Sequence, residues 1–173
     1  MGYAIELLFD SEGENKILDL IQVLDHYKID NKFLLENNKP HITLSVFENI
    51  VIEDIVEVID KMKVTPFNIL FNGLGNFNVS DNVIFLIPKV THHLLDLHQD
   101  FYSRLSPNYE YWEYYKPKVW TPHCTLTMGI NNSKFLQAFH LLQAKHSSFY
   151  AKVNRIGLVE FSPATVIYEK HLH

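Results

Sequence analysis

The chain has 173 residues, 47% hydrophobic, 13% aromatic and 20% charged, which excludes disordered, collagen-like and coiled-coil proteins and suffices for a single domain with a buried core. A net charge of −5, from 15 basic and 20 acidic residues, excludes broad binding of duplex DNA, although a few inward-facing donors still suffice for one phosphate. The single cysteine, Cys124, excludes an internal disulfide and any multi-cysteine metal site, and predicts a reducing, cytoplasmic location.

Met1-Gly2-Tyr3-Ala4-Ile5-Glu6 lacks the basic and apolar runs of a secretion signal, and Glu6 stands where a myristoylation signal needs Ser or Thr. No apolar run reaches membrane-spanning length, so no membrane partner is expected. Tyr3 to Phe9 reads as a strand, and Ser11-Glu12-Gly13-Glu14 as a capping box that opens a helix with Ile17, Leu20, Ile21 and Leu24 on one face. A strand over His41 to Phe47 precedes a helix with Ile52, Ile55, Val56, Ile59 and Met62 at helical spacing, which Pro66 ends. Strands at Phe67 to Phe71 and Val83 to Ile87 flank a Gly/Asn-rich turn from Asn72 to Asn82.

Thr91 then caps a helix carrying Leu94, Leu97, His98, Phe101 and Leu105. A strand at His123 to Met128, a helix capped by Asn131 or Asn132, and a hairpin of Phe149 to Glu160 with Thr165 to Lys170 follow. The same order of elements occurs twice. The pattern predicts an α+β fold, residues 1–173 forming one domain of two pseudo-symmetric lobes (about 1–81 and 82–173), each a mainly antiparallel sheet with helices on its outer face and a site in the cleft between them.

Pro40-His41-Ile42-Thr43-Leu44 and Pro122-His123-Cys124-Thr125-Leu126 stand 82 positions apart and differ only at their third residue. From the chain's composition one such match arises by chance roughly 0.002 times, so the duplication is a signal. Strand alternation places His41, Thr43 and Ser45 on one face and His123, Thr125 and Thr127 on the corresponding one, with Ile42, Leu44, Val46, Cys124, Leu126 and Met128 turned into the cores. Within a motif the His and Thr side chains project about 7 Å apart, close enough to touch one phosphate. Two imidazoles that pass and accept protons near neutral pH, with two hydroxyls for the non-bridging oxygens, are the parts that in-line phosphoryl transfer needs without a metal or other cofactor.

On these motifs the sequence resembles the two-histidine phosphoesterase superfamily, and Pro40-His41-Ile42-Thr43-Leu44-Ser45-Val46-Phe47 looks most like the first motif of its 2′-5′ RNA ligase or RNA 2′,3′-cyclic phosphodiesterase branch. The resemblance implies a bilobal, metal-independent phosphodiesterase of RNA processing, with His41, Thr43, His123 and Thr125 catalytic and a small nucleotide or RNA end as substrate. Bacterial enzymes of that branch often carry an arginine shortly after the second motif, where this chain has Thr127-Met128-Gly129. That departure argues against long RNA substrates and ligase activity, and leaves the two-histidine chemistry intact.

Other residues have two readings each. Ser45 and Thr127 are supporting donors or strand filler; Tyr109, Tyr111, Trp112, Tyr114, Tyr115 and Trp120 form a flap on which a base stacks, or cover a lobe edge. Tyr114 or Tyr115 offers a hydroxyl to the site. Lys39, Lys116 and Lys118 neutralise phosphate or are solvated, and Arg155 is a further substrate-binding candidate. His92, His93 and His98 lack the spacing of four that a helical zinc pair needs, so no metal is expected. A monomeric enzyme is the reading preferred over a nucleotide- or RNA-binding module without turnover, because binding alone needs no pair of proton-transfer groups. A purely structural protein would need a blocked cleft.

Overall fold

The computed structural model describes residues 2–36, 38–77, 82–161 and 164–173. Among them the chain runs β1 (Gly2–Phe9), α1 (Ser11–His26), α2 (Lys32–Leu35), β2 (His41–Phe47), α3 (Ile52–Lys61), β3 (Phe67–Phe77), β4 (Val83–Pro88), α4 (His92–Arg104), a 3-10 turn (Glu113–Tyr115), β5 (Cys124–Thr127), α5 (Asn132–Lys145), β6 (Phe149–Phe161) and β7 (Thr165–His171). This is the α+β, antiparallel arrangement that the periodicity predicts.

The helix starts follow from local chemistry. Thr91 caps α4 by accepting from the Leu94 N–H at 3.3 Å, and Asn131, not Asn132, caps α5 by accepting from the Lys134 N–H at 3.0 Å. For α1 the predicted box is displaced by one residue, because Asp10 accepts from the Gly13 N–H at 2.9 Å and Ser11 already lies inside the helix. Only glycine fits at position 13, where a Cβ would lie 2.6 Å from the Ala151 Cβ. Strand β3 is also longer than expected: it continues through Asn72 to Phe77, pairing with β4, and residues 78–81 of the predicted turn lie outside the described residues.

The strands form one antiparallel sheet in the order β2-β1-β6-β3-β4-β5, with β7 added to β6. The order is palindromic by position in the repeat: β2 matches β5, β1 matches β4, and β6 matches β3. Each lobe therefore takes its third strand from the other half of the sequence, which the linear repeat does not reveal. Between β3 and β6, Phe67 pairs with Val153, Ile69 with Ala151 and Phe71 with Phe149, a self-complementary register centred on Ile69 and Ala151. The two ends of the sheet path form no strand ladder with each other, yet β2 and β5 come into contact. Ile17, Ile21 and Leu24 of α1 and Leu94, Leu97 and Phe101 of α4 join Ile5, Leu7, Ile42, Leu44, Leu86 and Leu126 in one apolar cluster.

Both motif strands carry the same irregularity. In β1–β2, Ile5 pairs with Ser45 and Glu6 with Thr43, leaving Leu44 as the extra residue; in β4–β5, Ile84 pairs with Thr127 and Phe85 with Thr125, leaving Leu126. A β-bulge shifts the alternation by one residue, so side chains beyond it change face. His41, Thr43 and Thr125 remain partly accessible, whereas Ser45 and Thr127 are 0% and 2% exposed. Met128, predicted to point inward, is 48% exposed for the same reason.

Candidate active site

The two motif histidines are held in the same way. The Nδ1–H of His41 donates to the Lys39 carbonyl at 2.7 Å, and the Nδ1–H of His123 donates to the Thr121 carbonyl, also at 2.7 Å. Each carbonyl belongs to a residue that precedes a proline, where extended backbone is favoured. Because a carbonyl only accepts, Nδ1 carries hydrogen in both rings, and each Nε2 is left to accept or deliver a proton. Thr43 and Thr125 stand two residues on, both half-buried.

The motifs meet where β2 and β5 touch. The His41 backbone hydrogen-bonds the Cys124 sulfur, and burial pushes that thiol up to about 12, so it stays a neutral, fully buried thiol. Burial holds His123 below the ordinary imidazole value, and the charge of His41 lowers it further. The surroundings of the two rings differ. His41 Nε2 is 3.5 Å from Oε1 of Glu6, a carboxylate only 7% exposed. His123 packs against Phe77 and Phe85, with ring centres 4.8 and 5.2 Å away. Gly75 makes room for the Phe85 ring, since a Cβ there would lie 2.5 Å from it.

A family model described as the 2′-5′ RNA ligase superfamily matches residues 17–164, including both motifs. The chain belongs to this superfamily. Its fold is shared with Escherichia coli LigT complexed with NADP+, at 11% identity over 98% of this chain and 96% of that one, with a TM-score of 0.62. A crystal structure described only as a phosphoesterase is 14% identical over 98% of this chain and 97% of that one, with a TM-score of 0.59. Usb1 of Kluyveromyces marxianus is 13% identical over 99% and 97%, with a TM-score of 0.52. No curated protein is similar enough in sequence to match.

In this member of the superfamily several predicted site residues are engaged elsewhere. Ser45 Oγ shares a buried hydrogen bond with the Tyr102 hydroxyl at 2.8 Å, and the Thr127 hydroxyl donates to Asp30. The bulges explain both. Arg155 is spent on the Phe9 carbonyl, Glu14 and Glu169, so its guanidinium ties β6 to α1 and β7. Lys39 pairs with Glu169 at 3.1 Å, and Lys116 with Glu113 at 2.5 Å. Lys118 is exposed on left-handed backbone at φ 78°, and Tyr114 is 81% exposed. Tyr115 does reach the motif: its hydroxyl and that of Thr43 share a hydrogen bond, and burial holds the phenol above its ordinary value.

Sequence reasoning overlooked Glu6, Phe77 and Phe85, because their place beside the histidines depends on cross-strand register. One signal was present: Gly75 and Gly157 are 82 positions apart, the offset of the motifs, and they pair with Phe85 and Glu6 respectively.

Proposed function

We propose that this chain is a metal-independent phosphodiesterase of nucleotides or RNA ends, opening 2′,3′-cyclic phosphates, 2′-5′ linkages or related bonds by paired-histidine acid–base catalysis. The observation that carries this reading is the duplicated clamp, in which both Nδ1–H groups are held by a backbone carbonyl and both Nε2 atoms remain available beside a threonine. One neutral imidazole takes a proton from the attacking water, the new P–O bond forms, and the other imidazolium protonates the leaving ribose oxygen as its bond to phosphorus breaks. Thr43 and Thr125 donate to the non-bridging oxygens, where charge builds. Escherichia coli LigT has been crystallised with 3′-AMP and with phosphate, ligands of the class this site suits. Among the described residues no three His, Cys, Asp or Glu side chains cluster as metal ligands would. The setting that fits best is a cytoplasmic monomer.

The deciding assay is turnover of nucleoside 2′,3′-cyclic phosphates in EDTA. We expect a bell-shaped pH profile, loss on the order of 10²-fold or more in His41→Ala or His123→Ala, and little further loss in the double variant, because the pair acts as a unit. Activity abolished by chelator, or retained in His41→Ala, would overturn the mechanism. Nucleotide binding without turnover would make the chain a binding module instead.

A further inference from the structure

The two motif halves are near copies, and their difference is concentrated at one cross-strand position. In one lobe Gly157 pairs with Glu6 and Glu6 with Thr43; in the other Gly75 pairs with Phe85 and Phe85 with Thr125. Glu6 and Phe85 therefore occupy equivalent places, and each lies against the histidine of its own motif. A carboxylate beside an imidazole favours its protonated form, whereas a phenyl ring and burial favour the neutral one.

The charged and titratable groups around His41 come from six elements or their approaches. Glu6 of β1 lies 3.5 Å from its Nε2. Lys39, on the approach to β2, is held at 3.1 Å by Glu169 of β7, which also receives Arg155 of β6. Tyr115 of the 3-10 turn shares a hydrogen bond with Thr43, and His123 and Cys124 lie on β5 and its approach. Lys39 is thus compensated by Glu169, and Glu6 is the carboxylate left facing the ring. Burial holds the Glu6 carboxyl above its ordinary value, and the charges of His41 and Lys39 pull it partly back. A buried carboxylate without a countercharge is costly, and the ring that Glu6 faces is His41, whereas His123 faces the apolar Phe77–Phe85 side.

We propose that Glu6 is a positioning residue that keeps the transferable proton on the His41 side of the cleft, making His41 the general acid and His123 the general base of the hydrolysis. This rests on the phosphodiesterase reading above. In the step, His123 Nε2 accepts the proton of the attacking water, His41 Nε2 delivers its proton to the leaving oxygen, and exchange with solvent restores both rings after product leaves.

The test compares Glu6→Gln, which keeps the shape and removes the charge, with wild type and with Glu6→Asp. Two readouts are used, the pH profile of kcat/KM on a 2′,3′-cyclic nucleotide and the titration of each histidine ring by NMR. We expect Glu6→Gln to move the alkaline limb of the profile and the His41 ring titration about one unit to lower pH, with a loss of roughly tenfold above that limb. The His123 titration should change far less. Glu6→Asp should move both readouts less than half as far, and it carries the comparison if Glu6→Gln does not fold. An unchanged alkaline limb and an unchanged His41 titration would overturn the proposal. A wild type without turnover would overturn the phosphodiesterase reading, and the His41 titration would then still decide whether Glu6 keeps a proton on that ring.

Discussion

Ser45 illustrates how one inserted residue changes what a hydroxyl is for. Strict alternation would set it beside His41 and Thr43, but the bulge at Leu44 turns it inward, where its Oγ and the Tyr102 hydroxyl are each other's buried partners at 2.8 Å. Burial holds the Tyr102 phenol above its ordinary value, with Ser45 opposing in part, so the ring stays neutral and needs a hydrogen-bond partner. Ser45→Ala should therefore cost about 1–3 kcal/mol of stability, the cost of leaving a buried polar group unsatisfied. Its kcat/KM should stay within about threefold of wild type. Thr43→Ala and Thr125→Ala should show the opposite pattern, losing roughly 10²-fold in kcat/KM through the missing donor while the urea midpoint changes little. Ser45→Ala falling with the threonine variants in turnover would return that hydroxyl to the site.

Strand β2 ends the sheet path, and an uncovered edge strand invites unwanted pairing. The aromatic segment before the second motif covers it. The Trp112 N–H donates to the Val46 carbonyl at 2.9 Å, the Trp120 indole N–H to the Thr43 carbonyl at 3.0 Å, and Tyr111 bridges to Phe47. His98 of α4 completes the attachment: its Nε2–H lies 3.0 Å from the Tyr115 carbonyl and 3.2 Å from the Leu44 carbonyl, and its ring stacks on Trp120 at 3.9 Å. Of the two roles the sequence allowed for this segment, edge cover is what Tyr111, Tyr115 and Trp120 do, while Trp112 and Tyr114 are left exposed. Burial lowers His98 from 6.5 to about 4, with the two carbonyls opposing in part. The unfolded chain thus binds this proton at higher pH than the folded one. The stabilisation is complete above pH 6.5 and is lost as pH falls toward about 4, a loss on the order of 3 kcal/mol. Urea midpoints at pH 7.5 and 4.5 should show this fall in wild type. In His98→Gln the dependence should be shallower and the stability at pH 7.5 lower. Equal slopes in the two proteins would assign the acid sensitivity to other groups.

The order of elements and the His-Thr pairs were legible because they are local: periodicity marks each strand or helix, and each copy of the motif lies within five consecutive residues. Strand partners were not legible, because alternation tells which side chains share a face and says nothing about the neighbouring strand. Glu6 and Phe85 escaped notice for this reason, and so did the exchange of β3 and β6 between lobes. That exchange has a consequence for how the chain folds. In a fragment of residues 1–80, β1 and β2 pair with each other, but both partners of β3, namely β4 and β6, are missing. In residues 81–173, β4–β5 and β6–β7 remain as two separate strand pairs without β1 or β3 to join them, and isolated two-stranded pairs are marginal in water. Neither fragment should fold alone, although each contains one complete motif. Mixed in equal amounts they should associate, because each supplies the strand the other's lobe lacks, and the mixture should regain a dispersed NMR spectrum and turnover together. Cooperative unfolding of either fragment by itself would mean that the repeat unit is self-sufficient and that the exchanged strands are not what holds the two lobes together.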